Sequence, residues 1–391
     1  MIPLMKSTFL KEHETKTELA QFIMQAEILS MGEQCALFEK EFALHQGRMD
    51  AILFNSGGSA NLAMIQALKN IGRLKEGDIV GFSALTWSTN VMPLIQLGLK
   101  PVPVDCEIET LNVTSKKLLM AIKNTDMKAF FITNALGLVG DLDAIRDVCN
   151  GEKIILLEDN CEALGTELAP GKAGNFGLMA SFSFFVAHHM STIEGGMVCT
   201  DDYDLAEMLR LVRANGWDRN LTAVQQRNWR KKYGVTSEFY AKYVFYDLGF
   251  NFRPTEITGF LGRTQLKLLD ENIQIRERNY VDLEAVVMNN PDLVKINRDH
   301  ITVLSSFAFP VICRNAKLKE LYASQFSGAG VEIRPMIAGS IQEQPFFQKY
   351  VSDKYDLPGS DFIHECSFYC GNYPELTVND LEILKSCLSK Y

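Results

Sequence analysis

Short apolar runs recur through the first two hundred positions, and most are followed by a stretch whose apolar residues repeat at helical spacing. The runs AILF (51–54), DIVGF (78–82), KPVPVD (100–105), AFFIT (129–133), KIILLED (153–159), ASFSFF (180–185) and GGMVCT (195–200) read as strands buried on both faces. Between them, ANLAMIQALKNI (60–71), TSKKLLMAIKN (114–124) and LDAIRDVCN (142–150) carry the 3.6-residue period. That alternation predicts an α/β fold: a mostly parallel, doubly wound sheet covered by helices. The stretch 220–247 mixes aromatic and basic residues without a period and reads as a long loop, while 254–287 reads as one long helix. Beyond it, strands near FAFPVIC (307–313) and VEIRPM (331–336) flank a helix. The expected organisation is a large domain over 1–250, a linking helix over 251–290 and a small α+β domain over 291–391. Internal repeats and low-complexity segments are absent from the sequence.

Composition narrows the class of function. With 391 residues, 47% hydrophobic and 22% charged, the chain can bury a substantial core. A net charge of -9 argues against nucleic acid or a membrane surface as partner, since either needs a basic face. No apolar run reaches the roughly 18 residues of a membrane span, and the opening MIPLMKSTFLKEHETKTELA lacks a signal peptide's apolar stretch, so a cytoplasmic enzyme is expected. The nine cysteines are irregularly spaced and read as small buried apolar residues rather than a disulfide framework. Cys366 and Cys370, with His364 as the only nearby third ligand, are too few for a metal site, and none is expected.

Four segments carry chemistry. In FNSGGSANLAMIQAL, residues Ser56, Gly57, Gly58 and Ser59 lie between a strand and a helix beginning near Ala60; they are either a phosphate-binding helix start or an ordinary tight turn. In KIILLEDNCEALG, Asp159 stands at the carboxyl end of a buried strand, where open α/β sheets bind ligands, with Glu162 three residues on; the alternative for Asp159 is a helix N-cap. In TWSTN, Trp87 is placed either to stack on a heteroaromatic ring or to pack in the core. The fourth segment is SFSFFVAHHMSTIEGG (181–196).

Taken together, the phosphate turn, the strand ending in aspartate and the serine-rich strand leading into Glu-Gly-Gly resemble the sugar aminotransferase family of vitamin B6 enzymes. That family is a branch of the aspartate aminotransferase fold. The resemblance spans nearly the whole chain and includes RANGWDRN (213–220), DLGFNFRPTEITGFLGRTQL (247–266) and GVEIRPM (330–336). It implies that Gly57, Gly58, Ser59 and Ser183 bind the cofactor phosphate, that Asp159 pairs with the pyridine nitrogen, and that Trp87 stacks on the ring with Glu162 in the same pocket. It further implies a homodimer with shared sites, in which Asn251 and Arg219 reach across from the partner and Arg219 and Arg334 hold a sugar nucleotide's diphosphate.

One position departs from the family. Eight residues before the second glycine of Glu-Gly-Gly, where the aminotransferases carry the lysine that forms a Schiff base, this chain has His188, followed by His189. An imidazole forms no stable imine, so pyridoxamine or pyridoxal phosphate would be held non-covalently. The swap resembles the 3-dehydratases of deoxysugar and O-antigen pathways, which implies that His188 acts as the base and that the sugar's 3-hydroxyl is lost. The chain has no cysteine between Cys199 and Cys313, which favours the cluster-free type, typified by the colitose-pathway enzyme, over an iron-sulfur type served by a reductase. On that reading L-glutamate regenerates the amine, ammonia is released, and the nucleotide is GDP rather than CDP. The competing readings are a non-catalytic sugar-nucleotide-binding regulator and a plain aminotransferase using a substitute such as Lys172. His189 orients His188, touches substrate or packs.

Overall fold

The computed structural model describes residues 1–390. All seven expected strands form one sheet: β1 Asp50–Phe54, β2 Ile79–Ser83, β3 Lys100–Val104, β4 Met127–Thr133, β5 Ile155–Asp159, β6 Met179–Ser183 and β7 Gly196–Thr200. Their order is β1-β7-β6-β5-β4-β2-β3. β3, β2, β4, β5 and β6 run parallel, and β7 lies antiparallel between β6 and β1. The central strand shows why the runs are continuously apolar. Along β4, Ala129 and Phe131 join the core on one face while Phe130 and Ile132 join the core on the other. The second of these cores continues without a break into the C-terminal unit, through Leu304, Phe309 and Phe368.

Three expectations are corrected. The 220–247 stretch is not a loop throughout: Ala223–Lys232 is a helix, started by a capping box in which Thr222 and Gln225 satisfy each other's backbone N–H groups, with Trp229 buried. The T-x-x-Q signature outweighs a weak apolar period there. The 254–287 helix is two helices, Glu256–Leu266 and Leu269–Val287. In the C-terminal unit the expected strand at 331–336 shrinks to Ile333–Arg334. The sheet's central strand is Ser367–Gly371, which pairs antiparallel with both Ala308–Ile312 and Ile333–Arg334. Cys370 lies on that central strand, in the core shared with the large sheet, and Cys366, also buried, lies just before it.

Candidate active site

The carboxyl ends of β1, β2, β4, β5 and β6 share one edge of the sheet, and β7 begins there. A further correction concerns the first of these ends. The helix after β1 begins at Gly57, not near Ala60, because Ser56 Oγ accepts the Ser59 N–H and caps it there. Its first turn lies against β6: a Cβ at Gly57 would sit 2.6 Å from Ser183 Cβ. Gly196 allows the matching approach from β7, since a Cβ there would sit 2.2 Å from the Ser56 carbonyl oxygen. Two glycines thus bring a helix start, with its free N–H groups, beside a strand-end serine.

These elements surround a cavity of about 400 Å³. Of the residues singled out in the sequence, Ser56, Gly57, Gly58, Trp87, Asp159, Glu162, Ser183 and His188 line it. Trp87 is 55% exposed, at the opening of a short 3-10 turn rather than in the core. Ser59 turns back to Ser56 Oγ at 2.9 Å and is not on the wall. Arg219 stacks its guanidinium on Trp217 in a separate surface pocket. Arg334 is exposed beside Glu332, and Asn251 is exposed and accepts a bond from Arg253. Lys172 donates to the His45 carbonyl, away from the cavity, and no lysine is among the residues lining it.

Asp159 is 5% exposed, and three donors address its carboxylate: Asn61 Nδ2 at 2.9 Å, Asn90 Nδ2 at 2.7 Å and the Cys161 N–H at 2.9 Å. That arrangement suits the acceptor-only form of a carboxylate. Residues after Asp159 form turns, so it caps no helix. Glu162 accepts the N–H of Leu136, which adopts the left-handed region at φ 56°, and the Leu136 carbonyl accepts from Phe307 N–H. Burial pushes the Glu162 carboxyl up to about 7, and the Asp159 charge adds to that effect against the Leu136 hydrogen bond.

His188 sits in a loop closed at its base by Phe184 N–H to Gly195 O and Thr192 N–H to Phe184 O, both 2.9 Å. The loop contains Ile193 at φ 72°, a β-branched residue in a region such residues rarely occupy, and strain of that kind concentrates at functional sites. The His188 ring is half-buried, with Phe307 at 5.3 Å and Phe185 at 6.3 Å between centroids. Burial, with the charge of Arg276, lowers its pKa to about 4, against a smaller opposing effect of the Cys161 backbone. His189 is 1% exposed and points away from the cavity to the Ser305 carbonyl at 2.9 Å, so it packs.

Sequence reading missed Asn61 and Asn90, the donors to Asp159, and also Phe307, Ile337 and Tyr369, which the C-terminal unit adds to the wall. Asn90 stands within TWSTN, and Asn61 lies one helical turn after Gly57, so both were within reach. Nothing local marks Tyr369, whose hydroxyl burial pushes up to about 12.

A mostly parallel seven-stranded sheet with a strand-end carboxylate and a glycine-opened helix start defines an enzyme of the aspartate aminotransferase-like class. The chain belongs to the DegT/DnrJ/EryC1/StrS aminotransferase family, whose sequence profile matches residues 10–388. It is 32% identical to the GDP-4-keto-6-deoxy-D-mannose 3-dehydratase of Escherichia coli O55:H7, covering 99% of each chain. It is 34% identical to the Yersinia pseudotuberculosis enzyme of the same name, over 95% of this chain and 94% of that one. A crystal structure of GDP-4-keto-6-deoxymannose-3-dehydratase with a trapped pyridoxal phosphate–glutamate geminal diamine superposes with a TM-score of 0.91 at 31% identity, covering 100% of both chains. Among the described residues, no helix is long and apolar enough to cross a membrane, and no group of three His, Cys, Asp or Glu could hold a metal.

Proposed function

We propose that this chain is a pyridoxamine phosphate-dependent 3-dehydratase of GDP-4-keto-6-deoxymannose in the cytoplasmic synthesis of 3,6-dideoxysugars for lipopolysaccharide O-antigen. The observation that carries the reading is His188 on the cavity wall, with no lysine beside it, in a family whose aminotransferases need one. The residues present fit the cofactor. Asp159 offers a carboxylate to a protonated ring nitrogen, and Gly57, Gly58 and Ser183 converge where a phosphate would meet helix N–H groups. Trp87 leaves an indole face open at the rim. When bound, the cofactor supplies an amine that condenses with the sugar's 4-ketone and a ring that accepts electrons.

The chain's own residues then have separate tasks. Asp159, held by Asn61, Asn90 and the Cys161 N–H, would hold the ring through its nitrogen. His188, neutral at physiological pH, accepts the proton removed next to the amine. Phe185 and Phe307 shield that imidazole from bulk water. The hydroxyl at carbon 3 would leave as water, the nitrogen carried over to the sugar at carbon 4 would be lost to hydrolysis as ammonia, and glutamate, leaving as 2-oxoglutarate, would supply the replacement amino group. In this reading residues 1–250 hold the cofactor, 251–290 link, and 291–391 close the cavity through Phe307, Ile337 and Tyr369. Arg219 and Asn251, outside this chain's own cavity, serve the partner's site in a homodimer. Arg334, on the strand paired to Tyr369, reaches for the diphosphate.

Incubation with GDP-4-keto-6-deoxymannose, pyridoxal phosphate and glutamate should yield a 3-deoxy product, 2-oxoglutarate and ammonia in equal amounts. Failure to form them with the GDP sugar and with its CDP counterpart would end the proposal.

A further inference from the structure

Arg276 is the least expected charge in the molecule. It projects from the Leu269–Val287 helix, is 5% exposed, and among the described residues has no carboxylate hydrogen-bonded to it. A buried guanidinium normally has a carboxylate against it. Here every hydrogen-bond partner is neutral: Asn272 Oδ1 at 3.0 Å, the carbonyls of Ser306 at 3.3 Å and Phe307 at 3.0 Å, and the Asn372 carbonyl; Glu375 acts on the guanidinium only through its charge. Two of those partners lead to the proposed base. The Phe307 backbone is held by Arg276 while its ring lies against His188 at 5.3 Å and His189 at 6.2 Å. The Asn272 amide, oriented by Arg276 through its oxygen, donates through its nitrogen to the His189 carbonyl.

We propose that Arg276 is a positioning residue for His188: a buried cation with only neutral hydrogen-bond partners that fixes the imidazole's place through Phe307 and Asn272 and disfavours a second positive charge beside it. The inference rests on the dehydratase reading, in which His188 must start the reaction without a proton. The other titratable groups around His188 act differently. Asp159, Glu162 and Glu194 share its cavity, and when ionised each favours the protonated imidazole, as does any charge on Tyr369. His189 is itself held neutral by burial and by Arg276. Arg276 is the cation that opposes the carboxylates, and its charge together with burial lowers the His188 pKa to about 4. A carboxylate hydrogen-bonded to Arg276 would weaken the effect; the charge of Glu375 reaches the guanidinium without forming a salt bridge with it. The cost falls on the guanidinium itself, whose own pKa burial lowers to about 10 against the smaller opposing effect of the Glu375 charge.

The test is an NMR titration of histidine-labelled full-length protein without substrate, the His188 signal being assigned with His188→Asn. Because no turnover is measured, the outcome is independent of whether the dehydratase reading holds. In the wild type the His188 midpoint should lie below the ordinary 6.5. Arg276→Gln should raise it by about one pH unit, whereas Arg276→Lys, which keeps the charge but not the fork of donors, should leave it near the wild-type value. Asn272→Asp pairs the guanidinium with a carboxylate while Arg276 stays in place, and should raise the midpoint similarly even if Arg276→Gln does not fold. A wild-type midpoint at or above 6.5, or one unmoved by Asn272→Asp, would overturn the proposal. So would Arg276→Lys shifting it as far as Arg276→Gln, because a purely structural arginine would behave that way.

Discussion

The wall of the cavity that carries Asp159 receives three hydrogen bonds on one carboxylate, whereas the wall that carries His188 offers aromatic rings and leaves Nδ1 of the imidazole without a partner. One side surrounds its acid with donors; the other leaves its base among rings. Elements adjacent in one sheet create both environments, β5 ending in the donors' focus and β6 running into the aromatic loop. The contrast explains how an aminotransferase frame can carry other chemistry: the charge-stabilising side is retained, and the change is concentrated where a lysine would stand.

The largest effect should come from restoring that lysine. His188→Lys should cut 3-deoxy product formation by at least about 100-fold and attach the cofactor covalently, with a shifted absorbance band; unchanged turnover would refute the role given to His188. The opposite wall is tested by Asp159→Asn. Removing a charge-assisted contact worth about 1.5–3 kcal/mol should weaken cofactor binding roughly 10- to 100-fold, measured by spectroscopic titration, and equal affinity would show that the donors around Asp159 serve packing alone.

Stability against pH gives a subtler contrast. His188 has a folded pKa of about 4, below its ordinary 6.5, so its contribution is intact above 6.5 and is lost as pH falls towards 4. Glu162 has a folded pKa of about 7, above its ordinary 4.5, so its contribution is present below 4.5 and is lost as pH rises through 7. Denaturant unfolding without cofactor should therefore show Glu162→Gln gaining stability relative to wild type as pH rises from 4.5 to 7, and His188→Asn gaining as pH falls from 6.5 to 4. The smallest effect lies outside the cavity. Thr222→Ala removes a helix cap and should cost about 1 kcal/mol in thermal unfolding without altering cofactor affinity.

The large sheet was legible because each strand is buried on both faces, so continuous apolar runs such as AFFIT stand out from their surroundings. Asp159, Ser183 and His188 were legible because they close or follow those runs. What escaped has a common physical cause. The Ser367–Gly371 strand mixes Tyr369 and Cys370 into a short run following a helix, and its partners lie tens of residues away. The Ala223–Lys232 helix offers only Val224 and Trp229 as large apolar residues, too few to set a period, so only its cap announces it. Arg276 reads locally as one more charge in a helix of charges; its burial depends on carbonyls from positions 306, 307 and 372.

The central claim is that this aminotransferase-like cavity holds its cofactor without a covalent bond because His188 replaces the lysine. Borohydride reduction of the wild-type protein loaded with pyridoxal phosphate, followed by intact-mass spectrometry, tests it directly. The account predicts no stoichiometric gain of a pyridoxyl group, and a one-to-one adduct on any lysine would contradict it.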